Sequence, residues 1–254
     1  MKTAIRIRQV AILTLAAGLT AGAQAITIPF SGGTSEPTLR VTLTNGGVEV
    51  SGYDGKEVTL ETASSSGRKR DRDEDRHGGL HRIDIVNGFS VSQDSNVITI
   101  HGSGGGEPRL RLQVPFKTNL EIRCANCSET RISDVSGDVD VNITNGGIRL
   151  TNVSGGVLAH SLNSNINATF DRVPQKPISL STLNGGLEVI VPGDTKADLN
   201  LKTSNGKIYT DFDVRLAGGT LMQPGKGLNG TINGGGVQMR LNSFNGSIYV
   251  RRKS

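Results

Sequence analysis

Apolar and polar residues alternate along most of the chain, and short polar turns interrupt the alternation. In the stretch ITNGGIRLTNVSGGVLAHSLNSNINATF, residues 143–170, Ile148 and Leu150 share one face of a strand while Arg149 points to the other. A period of two is typical of strands with one buried face. No window shows a sustained period of 3.6 residues, so we predict an all-β protein with almost no helix beyond the first residues.

The turns recur at constant intervals. Those at 136, 145, 154 and 163 are nine residues apart, and those at 163, 184 and 205 are 21 apart. Each turn leads into an apolar-x-apolar strand, with Ser-Gly replacing Asn-Gly at 136–137 and 154–155. Asn-Gly turns that precede such a strand begin at Asn45, Asn145, Asn184, Asn205, Asn233 and Asn245.

Two architectures are compatible with this pattern. Asn-Gly between alternating strands is a strong hairpin signal, because a type I′ turn needs φ > 0 at both central residues, which would give an antiparallel meander or sandwich. A β-solenoid instead bends at each turn and stacks one coil on the last. Hairpin arms need not keep a constant length, whereas stacked coils must. We therefore predict a β-solenoid, a β-helix-like stack of short strands with Asn-Gly and Ser-Gly corners, and keep the meander or sandwich as the alternative.

Stacked corners predict a ladder in which each asparagine amide hydrogen-bonds the one above. We expect this structural turn ladder to contain the six asparagines named above. If every repeat bound the same ligand group, the outward position after each turn would carry the same type of side chain in each repeat. It holds no single-sign stripe and no aromatic ladder, so any binding site is expected to be local; the occupants are Glu49, Arg149, Asn167, Glu188, Tyr209, Gln238 and Tyr249.

Residues 1–25 resemble a secretory signal peptide. They contain three basic residues and no acid, then an apolar run shorter than a bilayer span, then the small-x-small sequence Ala23-Gln24-Ala25. We predict cleavage before Ile26, a single mature β-repeat domain over 26–254 without a transmembrane segment, and a location in the periplasm or at the cell surface.

Charge and composition exclude some partners. Of 28 basic residues three lie in the signal, which leaves 25 against 23 acidic residues, so no nucleic-acid partner is predicted. Aromatic residues make up only 4% and tryptophan is absent, which disfavours sugar sites built on stacked rings. Residues 64–79, SSSGRKRDRDEDRHGG, carry mixed charges without apolar residues and are predicted to be a disordered loop. The terminal IYVRRKS is expected to end the stack, where its cations would block edge pairing.

The sequence offers little catalytic or metal-binding chemistry. Cys124 and Cys127 form the one C-x-x-C, and in an oxidising compartment a small-loop disulfide is expected. A redox site would need a helix N-terminus and a zinc site two more ligands. We predict no metal and no cofactor, because the histidines lack ligand spacing; they are His77, His81, His101 and His160.

Three turn carboxylates provide the basis for an enzyme alternative. Asp134, Asp138 and Asp140 could face one another beside Arg131, as the carboxylates of β-helical polysaccharide lyases do. Solvated turn acids are far commoner, so we predict that the protein is not an enzyme. Convergence of these three groups in one groove would reverse that prediction.

The repeat GDVDVNITNGGIRLTNVSGGVLAHSLNSNI resembles an exported bacterial "putative adhesin" β-strand-repeat family, a domain of unknown function. The likeness covers most of 40–60 and 110–252, and it implies a β-helix-like fold at the cell envelope without transferable site residues. We therefore expect a non-enzymatic structural or adhesin-like interaction module, with an unknown envelope protein or polysaccharide as partner. The alternatives are a polysaccharide-active enzyme and an envelope-stress or regulatory partner protein.

Overall fold

The computed structural model describes residues 24–30, 36–63, 89–102, 109–216 and 227–253. These residues contain eighteen strands and no helix. The predicted charged loop lies outside the described residues, and so does the predicted signal except for residues 24 and 25, which begin the first strand. The strands are β1 (Gln24–Pro29), β2 (Thr38–Tyr53), β3 (Glu57–Ala63), β4 (Phe89–Asp94), β5 (Val97–Gly102), β6 (Arg109–Pro115), β7 (Asn119–Ser133), β8 (Val139–Thr151), β9 (Val157–Ser161), β10 (Ile166–Thr169), β11 (Ile178–Thr182), β12 (Leu187–Val191), β13 (Ala197–Thr203), β14 (Ile208–Thr210), β15 (Val214–Leu216), β16 (Leu228–Ile232), β17 (Val237–Ser243) and β18 (Ile248–Arg252).

Each coil supplies one strand segment before an asparagine corner and one after it. We call the sheet of leading segments face A and the sheet of following segments face B. Strands β2, β7 and β8 run through the corner and belong to both faces, whereas later coils use separate strands such as β9 and β10. Successive coils pair in parallel, so the predicted β-solenoid is confirmed and the antiparallel meander or sandwich is wrong.

The order of coils in space differs from their order in the chain. Strand β2 lies between β5–β6 on one side and β7 on the other. Near the other end, β17 and β18 lie between β11–β12 and β13–β14. Antiparallel pairs occur outside these inserted coils, where β1, β3 and β4 flank one end and β15 and β16 flank the other.

This order overturns the expectation that the terminal IYVRRKS guards an exposed edge. Strand β18 has β12 on one side and β14 on the other, so it lies inside face B. The chain reaches this place because β13 and β14 extend the stack first, after which the chain returns across β13 through Asn233 and Gly234. That connection has φ of 49° and 90° with a hydrogen bond from the Gly235 N–H to the Ile232 carbonyl at 3.1 Å, as in a type I′ turn.

The core lies between the two faces and follows the predicted alternation. In β8, Val139, Val141, Ile143, Ile148 and Leu150 are at most 1% exposed, and the outward positions alternate with them along the strand. Because parallel strands align equivalent positions, most of these side chains pack on apolar residues of the coils above and below, while Ile143 also meets the buried Ser161 and Ile148 the buried Thr130. One continuous cluster of aliphatic residues results.

Glycine is required at the asparagine corners chiefly by the closeness of the next coil. A Cβ on Gly146 would lie 1.7 Å from the Cys127 carbonyl oxygen, and one on Gly185 would lie 2.1 Å from that of Ser164. Gly146 also has φ of 136°, whereas the asparagines of the stacked corners have ordinary negative φ. The Asn-Gly corner is therefore a site of backbone contact between coils and not a hairpin turn.

We predict that Gly146→Ala lowers the free energy of unfolding by about 2–4 kcal/mol, because the added Cβ collides with neighbouring backbone at an unfavourable φ. Chemical denaturation of residues 26–254 measures this loss. Gly193→Ala is the matched control, since its Cβ would meet only the Arg252 side chain at 4.0 Å. Equal stability of the two variants would contradict the close-approach argument.

Candidate functional site

Asparagine side chains form a continuous hydrogen-bonded column along one corner of the stack. Each amide nitrogen donates to the amide oxygen of the next asparagine, over distances of 2.7–3.1 Å. The column runs, from donor to acceptor, through Asn205, Asn245, Asn184, Asn163, Asn145, Asn126 and Asn45. Every inner member thus donates once and accepts once within the column, which makes the column a structural element that links the coils.

The membership of this column differs from the predicted ladder at three positions. Asn233 is not a member, because its amide donates to the carbonyl oxygens of Gly193 and Thr195 in the turn described above. Asn126 and Asn163 are members although neither precedes a glycine. Asn163 carried a signal in its spacing from the flanking turns, whereas Asn126 is identified only by its register with Asn45 and Asn145.

The disulfide between Cys124 and Cys127 brackets the Asn126 corner. Both cysteines are buried, at 5% and 2% exposure, and their Cα atoms lie 5.9 Å apart. Strand β7 shifts register against β8 between Asn126 and Glu129, so the bond closes the corner where this coil is irregular. Its position inside the core is that of a structural crosslink.

The three carboxylates of the enzyme alternative each bind a different partner. Asp134 accepts from the Asn152 amide at 2.6 Å, and Asp140 accepts from both guanidinium nitrogens of Arg123 at 2.8 and 2.7 Å. Asp138 accepts from Lys176 at 2.6 Å. Arg131, the cation proposed to stand beside them, forms its ion pair with Glu129 instead. This arrangement does not supply an acid and base acting on one bond.

The ion pair at Asp138 shifts both of its members. The hydrogen bond from Lys176, aided by one from the Gly156 N–H at 2.8 Å, lowers the pKa of Asp138 below its ordinary 3.8 despite partial burial. The same hydrogen bond raises the pKa of Lys176. Asp138 is 57% exposed and Lys176 52% exposed. The pair therefore links the turn before β8 to the turn before β11 without excluding water.

Two tyrosines that lie far apart in the sequence are in contact on face B. The rings of Tyr209 and Tyr249 are stacked with centroids 4.9 Å apart and an interplanar angle of 10°. Their contact follows from the insertion of β18 beside β14. This is one aromatic pair and not a ladder along the stack, and the Arg251 guanidinium lies over Tyr249 at 5.2 Å.

A shallow cavity of about 200 Å³ opens on face A where β11, β17 and β13 lie side by side. Its polar lining consists of Ser179, Asp198, Asn200, Gln238 and Arg240, and its apolar lining includes Pro177. Sequence reasoning missed this site because β11, β13 and β17 are adjacent in space but separated in the sequence. The turn spacing singles out only Gln238, as an outward residue after a turn.

Metal and membrane signals are weak in the part of the chain that the structure describes. There, no three His, Cys, Asp or Glu side chains are grouped so as to hold a metal ion. His160 bonds through Nδ1 to the Ser181 hydroxyl at 2.8 Å, His101 lies in β5, and His77 and His81 lie outside the described residues. The described residues contain no helix of the length and hydropathy needed to cross a membrane.

We predict that Asn163→Ala lowers the free energy of unfolding by about 1–2 kcal/mol, because an inner rung loses one donated and one accepted hydrogen bond. Asn205→Ala is the control at the end of the column, where one bond is lost, and about half the effect is expected. Urea unfolding of both variants measures the difference. A loss at Asn163 no larger than at Asn205 would show that the amides do not act as a column.

We predict that Lys176→Met raises the pKa of Asp138 toward 3.8, since the main cause of its lowering is removed while the Gly156 hydrogen bond remains. A lowered folded-state pKa stabilises the protein above pH 3.8, and this contribution is lost as pH falls through the lowered value. NMR titration of the Asp138 carboxyl carbon measures the shift. Lys253→Met, which removes the partner of Asp171, is the control and should leave Asp138 unchanged.

Comparison with known proteins identifies the family. Among solved structures, a "putative cell adhesion protein" from Clostridium sporogenes matches with a TM-score of 0.44 and 12% identity, over 91% of this chain and 99% of that one. A "putative adhesin" from Bacteroides fragilis matches with a TM-score of 0.41 and 8% identity, over 92% of this chain and 98% of that one. No curated protein matches. A family model described as Toastrack DUF4097 matches residues 117–251, more than half of the chain. The resemblance carried by the repeats is thereby confirmed, and the chain belongs to the Toastrack DUF4097 family.

Proposed function

We propose that the protein is an exported, non-enzymatic interaction module of the cell envelope, in which a rigid solenoid displays side chains on two open faces to an envelope protein or polysaccharide. One observation carries the proposal. The interior and the asparagine corner repeat from coil to coil, while the outward residues in register with one another change, for example from Arg149 to Asn167 to Glu188. A constant scaffold with a variable surface is the arrangement of a binding module.

Export is supported by two independent features. The first is the signal-like sequence of residues 1–25. The second is the disulfide between Cys124 and Cys127, since such bonds persist in the periplasm and at cell surfaces and are rare in the cytosol. A periplasmic or cell-surface location agrees with both.

The absence of turnover is supported by the placement of the candidate acids. General acid and base catalysis needs two groups within reach of one substrate bond. Asp134, Asp138 and Asp140 are instead engaged with an amide, an ammonium and a guanidinium that belong to three different elements. These contacts lie within and between coils, which supports a structural role for all three carboxylates.

Expression of the full chain in a bacterial host, followed by cell fractionation and intact mass, tests export. We expect a mature form beginning at Ile26 outside the cytoplasm, with no thiol reactive toward an alkylating probe. A chain lacking residues 2–25 is the control and should stay in the cytoplasm. Recovery of the uncleaved chain from the cytoplasm, with reduced cysteines, would contradict the proposal.

Binding and turnover are tested together on isolated envelope material. Purified residues 26–254 should sediment with cell-wall or surface polysaccharide fractions and leave the length of those polymers unchanged. Asp140→Asn should behave like the wild type in both respects. Shortening of a polymer by the wild type but not by Asp140→Asn would establish the enzyme alternative.

A further inference from the structure

Arg240 is the central side chain of the cavity on face A. It lies in β17, in register with Ser179 of β11 on one side and Asn200 of β13 on the other. Two residues earlier along the same strands, Asp198 of β13 is in register with Gln238 of β17, and both also line the cavity. One guanidinium, two carboxamides, a hydroxyl and a carboxylate therefore converge on about 200 Å³ of open space.

Arg240 differs from most arginines of the stack in having no ion-pair partner among the residues that the structure describes. Seven others form pairs with carboxylates on their own or adjacent elements; they are Arg40, Arg111, Arg123, Arg131, Arg149, Arg251 and Arg252. Among the described residues no carboxylate forms such a pair with Arg240, and its two row neighbours are uncharged. The planar guanidinium, with five N–H donors, is thus available to a ligand.

The side chains around Arg240 supply acceptors as well as donors. Asn200 donates from its amide nitrogen to the Asn229 amide oxygen at 2.8 Å, and its own amide oxygen has acceptor capacity. Asp198 accepts from the Gly236 N–H at 3.3 Å and retains a second oxygen with acceptor capacity. In the adjoining row, Lys202 lies in register with Asn242, outside the cavity lining. A ligand that fits this site carries one anionic group for Arg240 and several hydroxyls for the mixed donors and acceptors.

We propose that this cavity, which we call the Arg240 site, binds a carboxylated sugar unit of an acidic polysaccharide. The guanidinium of Arg240 matches a carboxylate in a two-pronged, charge-assisted hydrogen bond, and the carboxamides, the Ser179 hydroxyl and Asp198 match ring hydroxyls. The open sheet face gives a chain room to continue beyond the cavity. No aromatic ring lines the cavity, so recognition is polar and weakens as salt concentration rises.

The inference rests on the proposed interaction function and names its ligand class. Isothermal titration of residues 26–254 with a short oligogalacturonate tests it, and the methyl-esterified oligomer serves as the neutral ligand of equal length. We expect oligogalacturonate to bind at least about tenfold more tightly than its methyl ester, because esterification removes the charge-assisted hydrogen bonds between the Arg240 guanidinium and the ligand carboxylate. Polyglutamate of similar charge should bind no better than the ester, since it lacks hydroxyls.

Variants locate the site. Arg240→Gln should weaken oligogalacturonate binding about tenfold or more, and Arg240→Lys, which keeps the charge without the planar fork, should fall between it and the wild type. Arg149→Gln is the matched control, an outward strand arginine on face B, and should bind as the wild type does. Arg240 is exposed, so circular dichroism and the unfolding midpoint should remain unchanged.

The results separate this inference from the function on which it rests. Envelope association without preference for the acid over the ester would overturn the Arg240 site and leave the interaction module standing. Equal loss in Arg149→Gln and Arg240→Gln, or equal binding of polyglutamate, would likewise overturn it, since charge alone would then suffice. Oligogalacturonate binding that depends on Arg240, in a protein that never reaches the envelope, would retain the site and refute the proposed function.

Discussion

The stack depends on the contact between coils at the asparagine corner. There the amide of one asparagine donates to the amide of the next, from Asn205 to Asn45, while glycine lets the backbones approach. A slip of one residue would break this column and turn the alternating apolar side chains outward. The hydrogen bonds of the corner and the burial of the core therefore require the same register. Because the corners and the core together fix the register, the outward side chains are not needed to fix it and can vary from coil to coil.

The inserted terminal coils change which strands form the open edge of the stack. The chain builds an outer coil first and then returns to place β18 between β12 and β14, with antiparallel strands lying beyond. The terminal cations accordingly act across the sheet, as Arg251 does with Glu188, and not as an edge guard. The same route brings together residues far apart in sequence, including Tyr209 with Tyr249 and Ser179 with Arg240.

The outward faces divide into charges that serve the scaffold and charges that do not. Arg123 with Asp140 and Lys176 with Asp138 are paired between or beside coils, and because these side chains are substantially exposed to water each pair contributes little to stability. Arg240 has uncharged neighbours in its row and faces a cavity. The proposed binding role is therefore assigned to the Arg240 site, where an outward charge has no partner within the repeat.

The alternation of apolar residues and the spacing of turns determined the all-β class, the solenoid and most of the corner column, because these depend on local period and on identical positions stacking. Tertiary structure alone decided that Asn126 joins the column, that Asn233 forms a separate turn, and that the Asn-Gly glycines serve coil contact. It also decided which coils are neighbours, and with them the Arg240 site. A repeat specifies what each coil looks like, but coils of one kind can stack in more than one order. The order is set by contacts between residues far apart in the chain, such as those of β18 with β12 and β14, which no local period encodes.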